Sequence, residues 1–352
     1  MNVPFDRTAV RKILLIKLRA VGDVLLSTIV TKNVRAAFPE GRIDFLTEPP
    51  AIDIVRGNPH INEALVYDRK AKSPLAHIME IRSSSYDLVI DLFGNPRTAL
   101  LTRLSGARYR VGFDFRGRSY AYNIVVQPRG DRVHNTQFNL DAIESLGIPI
   151  VDRSLHFPLG AADEEYVDQF LPRTGSAGTM LVGINTSGGW YTKRWGVERF
   201  AELADRLAGN FGASIVLPWG PGQREEVEKV QALAKSHLHV PPPTNLRQLG
   251  ALLKRCTFVV SNDSGPMHIA AAVGTPVLGI YGPTNPLLQG PYGENHVIVR
   301  EEGLDCLGCN LTACPIGHPC MLNLTVESVM KGVERLLARN QITVNPSLPR
   351  SR

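Results

Sequence analysis

The stretch from residue 257 to residue 284 constrains the fold of this chain more than any other. An apolar run at residues 258–260 is long enough for a buried strand, and a polar, turn-rich segment at residues 261–265 follows it. Pro266 is typical of the start of a helix, and Gly274 is placed to end that helix before a second apolar run at residues 277–281. The pattern predicts a strand, a loop, a short helix and a second strand.

The junction between this loop and this helix predicts a binding site for an anion such as phosphate. A helix N-terminus carries positive partial charge, and the polar loop before it adds hydrogen-bond donors. An ordinary turn with a capped helix is the alternative. His268 presents the same choice, because it lies beside Met267 and Ile269, where a packed or capping histidine is plausible. Its position near the helix end favours a role in binding.

Length and composition predict a globular protein of two domains. The 352 residues exceed an average domain, and a composition of 43% hydrophobic and 20% charged residues is typical of globular chains. The chain has no run of eighteen apolar residues, and its polar start, with Pro4 and Asp6, does not resemble a secretory signal. We therefore expect a cytoplasmic protein.

Strand and helix patterns alternate through the first half of the chain. Apolar runs predict strands at residues 12–17, 43–46, 64–67 and 88–92, and helical spacing predicts a helix over residues 24–38. Such alternation builds a parallel, doubly wound sheet, which binds ligands at the carboxyl ends of its strands. Asp23 follows the first strand and lies at this edge, where a plain helix-capping role is the alternative.

A second α/β unit is predicted from residue 181 onward. Its first strand ends in a loop with Thr186, Ser187 and two glycines, whose N–H and hydroxyl groups can surround phosphate oxygens. Lys193 and Arg194 add positive charge. Three loops, near Thr186, Trp219 and Asp263, are placed to converge on one ligand. The absence of a Gly-x-Gly-x-x-Gly pattern after a strand and of a Walker-type loop argues against NAD binding and against a P-loop ATPase.

Positive charge is concentrated in one segment of the chain. The net charge is +6, and residues 97–132 contain eight arginines and no lysine against Asp114 and Asp131. Arginine suits bidentate binding of carboxylate or phosphate, and a solvated basic face is the alternative. No zinc-finger spacing, RNA-binding signature or basic stretch with interleaved aromatic residues is present, so we expect no nucleic-acid partner.

Four segments together resemble a known family. They are ILLIKLRAVGDVLLSTIVTKNVRAAFPEGRIDFL near the start, HNTQFNLDAIESLGI, INTSGGWYTKRW, and SNDSGPMHIAAAVGTPVLGIYGPTNP. In these motifs and in their order the chain is similar to the lipopolysaccharide heptosyltransferases of glycosyltransferase family 9. The resemblance implies the GT-B fold, an α/β architecture in which two Rossmann-like, doubly wound domains face each other across a cleft.

The resemblance also implies an activity. The enzyme would be an inverting glycosyltransferase that moves L-glycero-D-manno-heptose from ADP-heptose to the inner core of lipopolysaccharide, without a catalytic metal. Asp23 would be the general base. The acceptor would be an anionic, lipid-linked oligosaccharide, which places the enzyme at the inner face of the cytoplasmic membrane as a peripheral protein.

The binding residues follow from the same resemblance. The donor would be bound by Thr186, Ser187, Lys193, Glu225 (or Glu226), Asp263, Ser264, Gly265 and His268. The acceptor would be bound by Lys17, Arg19, Arg97, Arg116 and Arg118. The expected domains are an acceptor-binding domain at residues 1–165, a nucleotide-sugar domain at 166–325, a helix at 326–340 that packs back on the body, and a mobile tail at 341–352.

The cysteines fit the family less directly. Cys306, Cys309, Cys314 and Cys320 lie close together with His318 among them, and the first pair has the spacing of a metal-ligand pair. A structural zinc or similar metal and reduced, unliganded thiols are both open, and neither has a catalytic role.

Other functions remain as alternatives. One is a glycosyltransferase of the same family with another nucleotide sugar, and a more distant one is a nucleotide-sugar epimerase. From a different class, the chain could be a non-catalytic protein that binds anions or metal on this fold.

Overall fold

In a computed structural model, the chain forms two compact units, residues 1–158 and 159–352. The structure describes residues 3–171 and 180–344. Each unit is a parallel β-sheet with helices packed against it, which confirms the prediction of two Rossmann-like α/β domains.

The first unit is built on a parallel sheet with the strand order β3-β2-β1-β4-β5-β6 among the residues described. Its strands are β1 (Lys12–Ile16), β2 (Arg42–Thr47), β3 (Glu63–Val66), β4 (Leu88–Asp91), β5 (Tyr109–Phe113) and β6 (Ile124–Val126). Its helices are α1 (Val21–Ser27), α2 (Ile29–Ala37), α3 (Ile52–Val55), α4 (Pro74–Ser83), α5 (Pro96–Leu104) and α6 (Asn135–Glu144). The central strands are buried on both faces, as expected for a sheet covered by helices on both sides.

The helix predicted over residues 24–38 is two helices, α1 and α2, which meet at Thr28. The hydroxyl groups of Ser27 and Thr28 donate to the backbone carbonyls of Val24 and Leu25, both at 2.7 Å. Hydroxyls that bond the preceding turn compete with the regular helical pattern and often bend it. The apolar periodicity runs across this break, which explains why the sequence pattern does not reveal it.

The second unit repeats the same topology, with the strand order β12-β11-β10-β7-β8-β9 in the part of the chain that the structure describes. Its strands are β7 (Leu181–Asn185), β8 (Ser214–Val216), β9 (Leu238–His239), β10 (Phe258–Asn262), β11 (Val277–Tyr281) and β12 (Val297–Arg300). Its helices are α7 (Ala161–Phe170), α8 (Val197–Phe211), α9 (Arg224–Leu233), α10 (Leu246–Arg255), α11 (Gly265–Ala272), α12 (Pro286–Gln289), α13 (Pro319–Leu322) and α14 (Val326–Arg339).

The boundary between the units lies at 158/159 rather than at the expected 165/166. Helix α7, which spans the expected boundary, packs against α10. Three ion pairs join the two helices, and the least exposed of them connects Asp163 to Arg247 at 2.9 Å. The apolar and charged face of α7 therefore belongs to the second unit.

Helix α14 packs on β11, β12 and α8 of the second unit. A Cβ atom at Gly332 would collide with Val299 and Leu278, so glycine lets this helix approach the sheet closely. Ile342 packs against the same core just after the helix. The mobile tail was expected over residues 341–352, and residues 345–352 of it lie outside the described part of the chain.

In both sheets the order in which successive strands are added reverses beside the first strand. In the first unit β1 lies between β2 and β4, and in the second β7 lies between β8 and β10. Ligands of doubly wound sheets bind at the carboxyl ends of the strands at such a switch point. The loops after β1, β4, β7 and β10 are thus the expected positions for site residues. Among the described helices, none combines the length and the apolar character that a membrane span requires.

Candidate active site

Asp23 lies at the switch point of the first unit, in the first turn of α1. Its carboxylate accepts a hydrogen bond from the backbone N–H of Ala20 at 3.2 Å, so it does cap the helix as the alternative interpretation predicts. The side chain is half-buried rather than enclosed. A carboxylate in this position can both hold the start of the helix and accept a proton from a ligand.

Lys17 is buried at the end of β1, and its ammonium group donates to the carbonyl of Leu92 at 2.9 Å. Burial lowers the pKa of Lys17, and the nearby carboxylates of Asp23 and Asp91 oppose that shift. The structure therefore places Lys17 inside the framework that joins the ends of β1 and β4. Its expected contact with an acceptor stays a prediction.

Asp91 ends β4 and is a buried residue that the sequence analysis did not select. Its carboxylate accepts hydrogen bonds from the Tyr122 hydroxyl at 2.7 Å and from the backbone N–H groups of Phe93 and Gly94 at 3.0 and 2.9 Å. Burial raises the pKa of Asp91, while these hydrogen bonds oppose the rise. The sequence does contain a signal for this residue, since an aspartate directly follows three apolar strand residues. Asp91 shapes the loop after β4.

The arginines expected to bind the acceptor are placed differently from one another. Arg97 forms an ion pair with Glu48 at 3.0 Å, and Arg118 donates to the carbonyl of Gly94 at 2.7 Å. Arg19 and Arg116 are exposed. Arg97 and Arg118 therefore shape the loops after β2 and β4, whereas Arg19 and Arg116 have side chains that reach solvent.

In the second unit, three loops meet at Asp263. The Lys193 ammonium and the Thr284 hydroxyl both donate to the same carboxylate oxygen of Asp263, each at 2.6 Å. Asp263 is 4% exposed, and Lys193 also lies over the ring of Trp190 at 4.4 Å. Thr284 was not selected from the sequence, although it lies in the GPTNP motif. The contacts connect the loops after β7, β10 and β11.

Asn185 and Asn262 reinforce this junction, and neither was predicted. The Asn185 amide donates to the hydroxyls of Ser261 and Ser264 at 2.8 Å, and its oxygen accepts from Ser187 at 2.7 Å. The Asn262 amide donates to the carbonyl of Thr186 at 2.6 Å. Thr186, Ser187 and Ser264, all expected donor ligands, are thus brought together by hydrogen bonds between adjacent strand ends.

Helix α11 begins at Gly265, directly after Ser264. The side chain of Ser264 makes no capping hydrogen bond to the helix, because its hydroxyl faces Asn185 and the carbonyl of Asn262. The first-turn N–H groups are therefore not capped by that side chain. His268 is buried one turn into the same helix. A helix N-terminus left without a side-chain cap can accept an anion, and the anion site stays a prediction.

The two glutamates at the start of α9 have different surroundings. Glu225 is 82% exposed and pairs with Lys229 at 2.8 Å on its own helix. Glu226 is 18% exposed and pairs with Arg194 at 3.2 Å, in the loop after β7. The predicted loop near Trp219 leads into α9, so the ion pair of Glu226 with Arg194 connects it to the loop after β7. Of the two glutamates, the geometry favours Glu226 as a ligand contact.

The cysteine-rich segment supports the same loops. Cys306, Cys309, Cys314 and Cys320 line a small cavity together with Thr192 and Pro283. The backbone N–H groups of Gly308 and Asn310 donate to the carbonyls of Gly282 and Pro283 at 3.1 and 2.6 Å, and the Thr192 hydroxyl donates to the carbonyl of Leu311 at 2.9 Å. The segment thus contacts the neighbours of both Lys193 and Thr284.

The cysteine thiols are free and close to one another. Burial raises the pKa of Cys320, and the other three thiols raise it further. At these side-chain positions, the described residues contain no group of three or more His, Cys, Asp or Glu arranged to hold a metal ion.

Comparison with known proteins finds a family model and relatives by sequence. The model of glycosyltransferase family 9 (heptosyltransferase) matches residues 75–318. The chain is 27% identical over 310 residues to the lipopolysaccharide core heptosyltransferase OpsX of Haemophilus influenzae, covering 85% of this chain and 88% of that protein.

Two solved structures are similar over nearly the whole chain. A family 9 glycosyltransferase from Veillonella parvula has a TM-score of 0.84 at 25% identity, covering 96% of this chain and 99% of that one. The Escherichia coli heptosyltransferase WaaC, solved with ADP, has a TM-score of 0.70 at 26% identity, covering 92% and 99%.

Proposed function

The chain belongs to glycosyltransferase family 9 (heptosyltransferase), and on this premise we propose that it transfers L-glycero-D-manno-heptose from ADP-heptose to the inner core of lipopolysaccharide. The observation that carries this proposal is the junction at Asp263, where the loops after β7, β10 and β11 meet Lys193 and the start of α11. Cationic, hydroxyl and helix N-terminal groups converge there, which suits a nucleoside diphosphate.

The donor binds in the second unit. The diphosphate takes donors from Thr186, Ser187, the first turn of α11 and the Lys193 ammonium. Asp263 holds Lys193 and Thr284 in place and, together with His268, contacts the heptose. Glu226 contacts the nucleoside. Buried, preorganised donors of this kind stabilise the charge that grows on the leaving oxygen of ADP.

The acceptor binds to the first unit, where Asp23 is the general base. A hydroxyl of the acceptor sugar attacks the anomeric carbon of the heptose while its proton passes to the Asp23 carboxylate. The bond from that carbon to the ADP oxygen breaks with its electron pair on ADP, and the configuration inverts. Arg19 and Arg116 bind the anionic groups of the acceptor. Lys17 joins the end of β1 to the residue after β4 through its hydrogen bond to the carbonyl of Leu92.

The enzyme acts in the cytoplasm, at the inner face of the cytoplasmic membrane, because its acceptor is lipid-linked. No step passes through a metal. A structural zinc would be held by the four cysteines and would keep the cysteine-rich segment against the donor loops, with reduced, unliganded thiols as the alternative. The support for zinc is that the four cysteines line one cavity.

The decisive experiment combines purified protein with ADP-heptose and a set of truncated lipopolysaccharide cores, with mass spectrometry of the products. We expect one core to gain a single heptose. Calorimetric titration with ADP, UDP and GDP distinguishes the alternatives: ADP-selective binding is expected, selective UDP binding indicates another donor, and binding of none of them indicates a non-catalytic protein.

A further inference from the structure

The outer sides of α4 and α5 form a surface of the first unit that the proposed reaction does not use. The two helices pack against each other, and the Arg82 guanidinium on α4 donates to the carbonyl of Leu104 at the end of α5, at 3.3 Å. We call the outer side of this pair the α4–α5 face. It is defined by Leu75, Met79, Leu100 and Leu104 with the basic residues around them.

The apolar side chains of this face are unusually exposed for their size. Leu75 and Met79 are 66% and 58% exposed, and Leu100 and Leu104 are 45% and 38% exposed. Each pair is spaced by four residues, so its members lie one above the other on the same side of the helix. The opposite sides of the helices are buried through residues such as Ile81 and Leu101, so both helices are firmly packed. The exposed residues are a second, outward apolar surface.

Basic side chains outnumber acidic ones in the two segments that carry this surface, and the carboxylates of Glu63 and Asp68 lie beside the cavity along α4. Residues 69–83 and 98–108 contain six basic side chains and one carboxylate, Glu80, which is already paired with Lys72 at 2.7 Å. The basic residues, all exposed, are Arg69, Lys70, Lys72, Arg82, Arg103 and Arg108. The two segments together carry a net charge of 6 − 1 = +5.

The position of the face fits the proposed acceptor site. In a parallel sheet, helices that follow strands begin at the carboxyl edge, and α4 and α5 follow β3 and β4. Leu75 is in the first turn of α4, and the loop with Arg69 and Lys70 leads into that turn. The basic, apolar face therefore begins at the same edge of the first unit that carries Asp23.

We propose that the α4–α5 face docks on the surface of an anionic phospholipid bilayer. Leu75, Met79, Leu100 and Leu104 enter the interfacial region, and the six basic side chains lie at the lipid phosphates. This inference rests on the proposed function in one respect, since a lipid-linked acceptor brings the enzyme to a membrane. It adds the face of the protein that makes the contact and the charge of the lipid that it selects.

The test is sedimentation of the full-length protein with lipid vesicles. Vesicles of phosphatidylcholine with phosphatidylglycerol are compared with vesicles of phosphatidylcholine alone. The wild type is expected to bind the anionic vesicles, and more weakly as salt rises. The double variant Leu75→Ser/Met79→Ser should lose about tenfold or more in partitioning, and Lys70→Glu/Arg103→Glu should do the same. Leu233→Ser, at a leucine of α9 in the second unit that is 53% exposed, is the control and should bind like the wild type.

Heptose transfer to a water-soluble, delipidated core separates the two proposals. Absence of transfer in the wild type would contradict the proposed function, whatever the vesicles show. If transfer is normal and both double variants bind anionic vesicles as well as the wild type, the docking face is wrong. A change from dimer to monomer in the variants, with vesicle binding unchanged, would identify a self-association surface and would equally overturn the inference.

Discussion

The Lys193 ammonium lies 2.6 Å from the Asp263 carboxylate, and this contact joins residues 70 positions apart in the chain. Because Thr284 donates to the same carboxylate oxygen, one buried aspartate holds loops from three strand ends. The charge of Lys193 is thereby kept at the N-terminal end of α11. The same lysine is the group that we expect to bind the diphosphate.

Replacement of Lys193 should weaken donor binding. Charge-assisted hydrogen bonds contribute about 1.5–3 kcal/mol, so Lys193→Ala should bind ADP about ten- to a hundredfold more weakly by calorimetry. The control is Lys229→Ala, which removes a lysine paired with Glu225 at 2.8 Å on the surface of α9. Equal ADP affinity in Lys193→Ala and the wild type would mean that the donor binds elsewhere.

Replacement of Asp23 should lower turnover strongly while the fold survives. General-base catalysis contributes typically about 10²–10⁴-fold, so Asp23→Asn should lower kcat by at least about a hundredfold with ADP affinity unchanged. Asp163→Asn is the matched control. Asp163 also accepts from a backbone N–H three residues earlier, that of Gly160, at the start of α7. Should Asp23→Asn keep more than about a tenth of the wild-type kcat, Asp23 is only a helix cap.

The two glutamates of α9 should differ in their effect on nucleotide binding. Glu226 is paired with Arg194 of the loop after β7, whereas Glu225 faces solvent. Glu226→Gln should weaken ADP binding about three- to tenfold, the effect of losing one ordinary hydrogen bond, and Glu225→Gln should not. The opposite order in calorimetry would restore Glu225 as the nucleoside contact.

Asp152 should make the stability of the first unit depend on pH. A hydrogen bond from Lys32 is the main cause that lowers the pKa of Asp152 to about 2, from an ordinary value of 3.8. Its contribution to stability is therefore present above pH 3.8 and lost as the pH falls toward 2. Thermal melts of Asp152→Asn should lie below those of the wild type at pH 6 and approach them near pH 2. A difference independent of pH would exclude ionisation as its source.

The cysteine cluster should affect stability but not chemistry. Protein prepared without chelator should contain about one equivalent of zinc by elemental analysis, as one four-cysteine site would bind. Cys309→Ser should lower the melting temperature. Activity should survive brief exposure to chelator, because no catalytic step uses the metal. Protein without metal would leave four reduced thiols that merely pack beside Thr192 and Pro283.

The sequence by itself determined the fold class and the family. Strand and helix patterns are local, since each is set by the spacing of apolar side chains over a few residues. The runs at β1, β4, β7, β10 and β11 are therefore readable one at a time, and so are the loops after them. Thr186 and Asp263 are predicted as site residues because each directly follows a strand at the edge where parallel sheets bind ligands, and Asp23 because it lies at the start of the helix after the first strand.

The tertiary structure alone decided which side chains meet. Thr284 joins Asp263, Asp91 joins Tyr122 and Arg194 joins Glu226 only because the strand order brings distant segments together. Burial of Lys17 and exposure of Glu225 have the same origin, since both residues are polar and their spacing does not say which way they face. Apolar periodicity reports which face of an element is covered. It does not show which distant element packs against that face. The contacts between site residues depend on this packing, so only the tertiary structure reveals them.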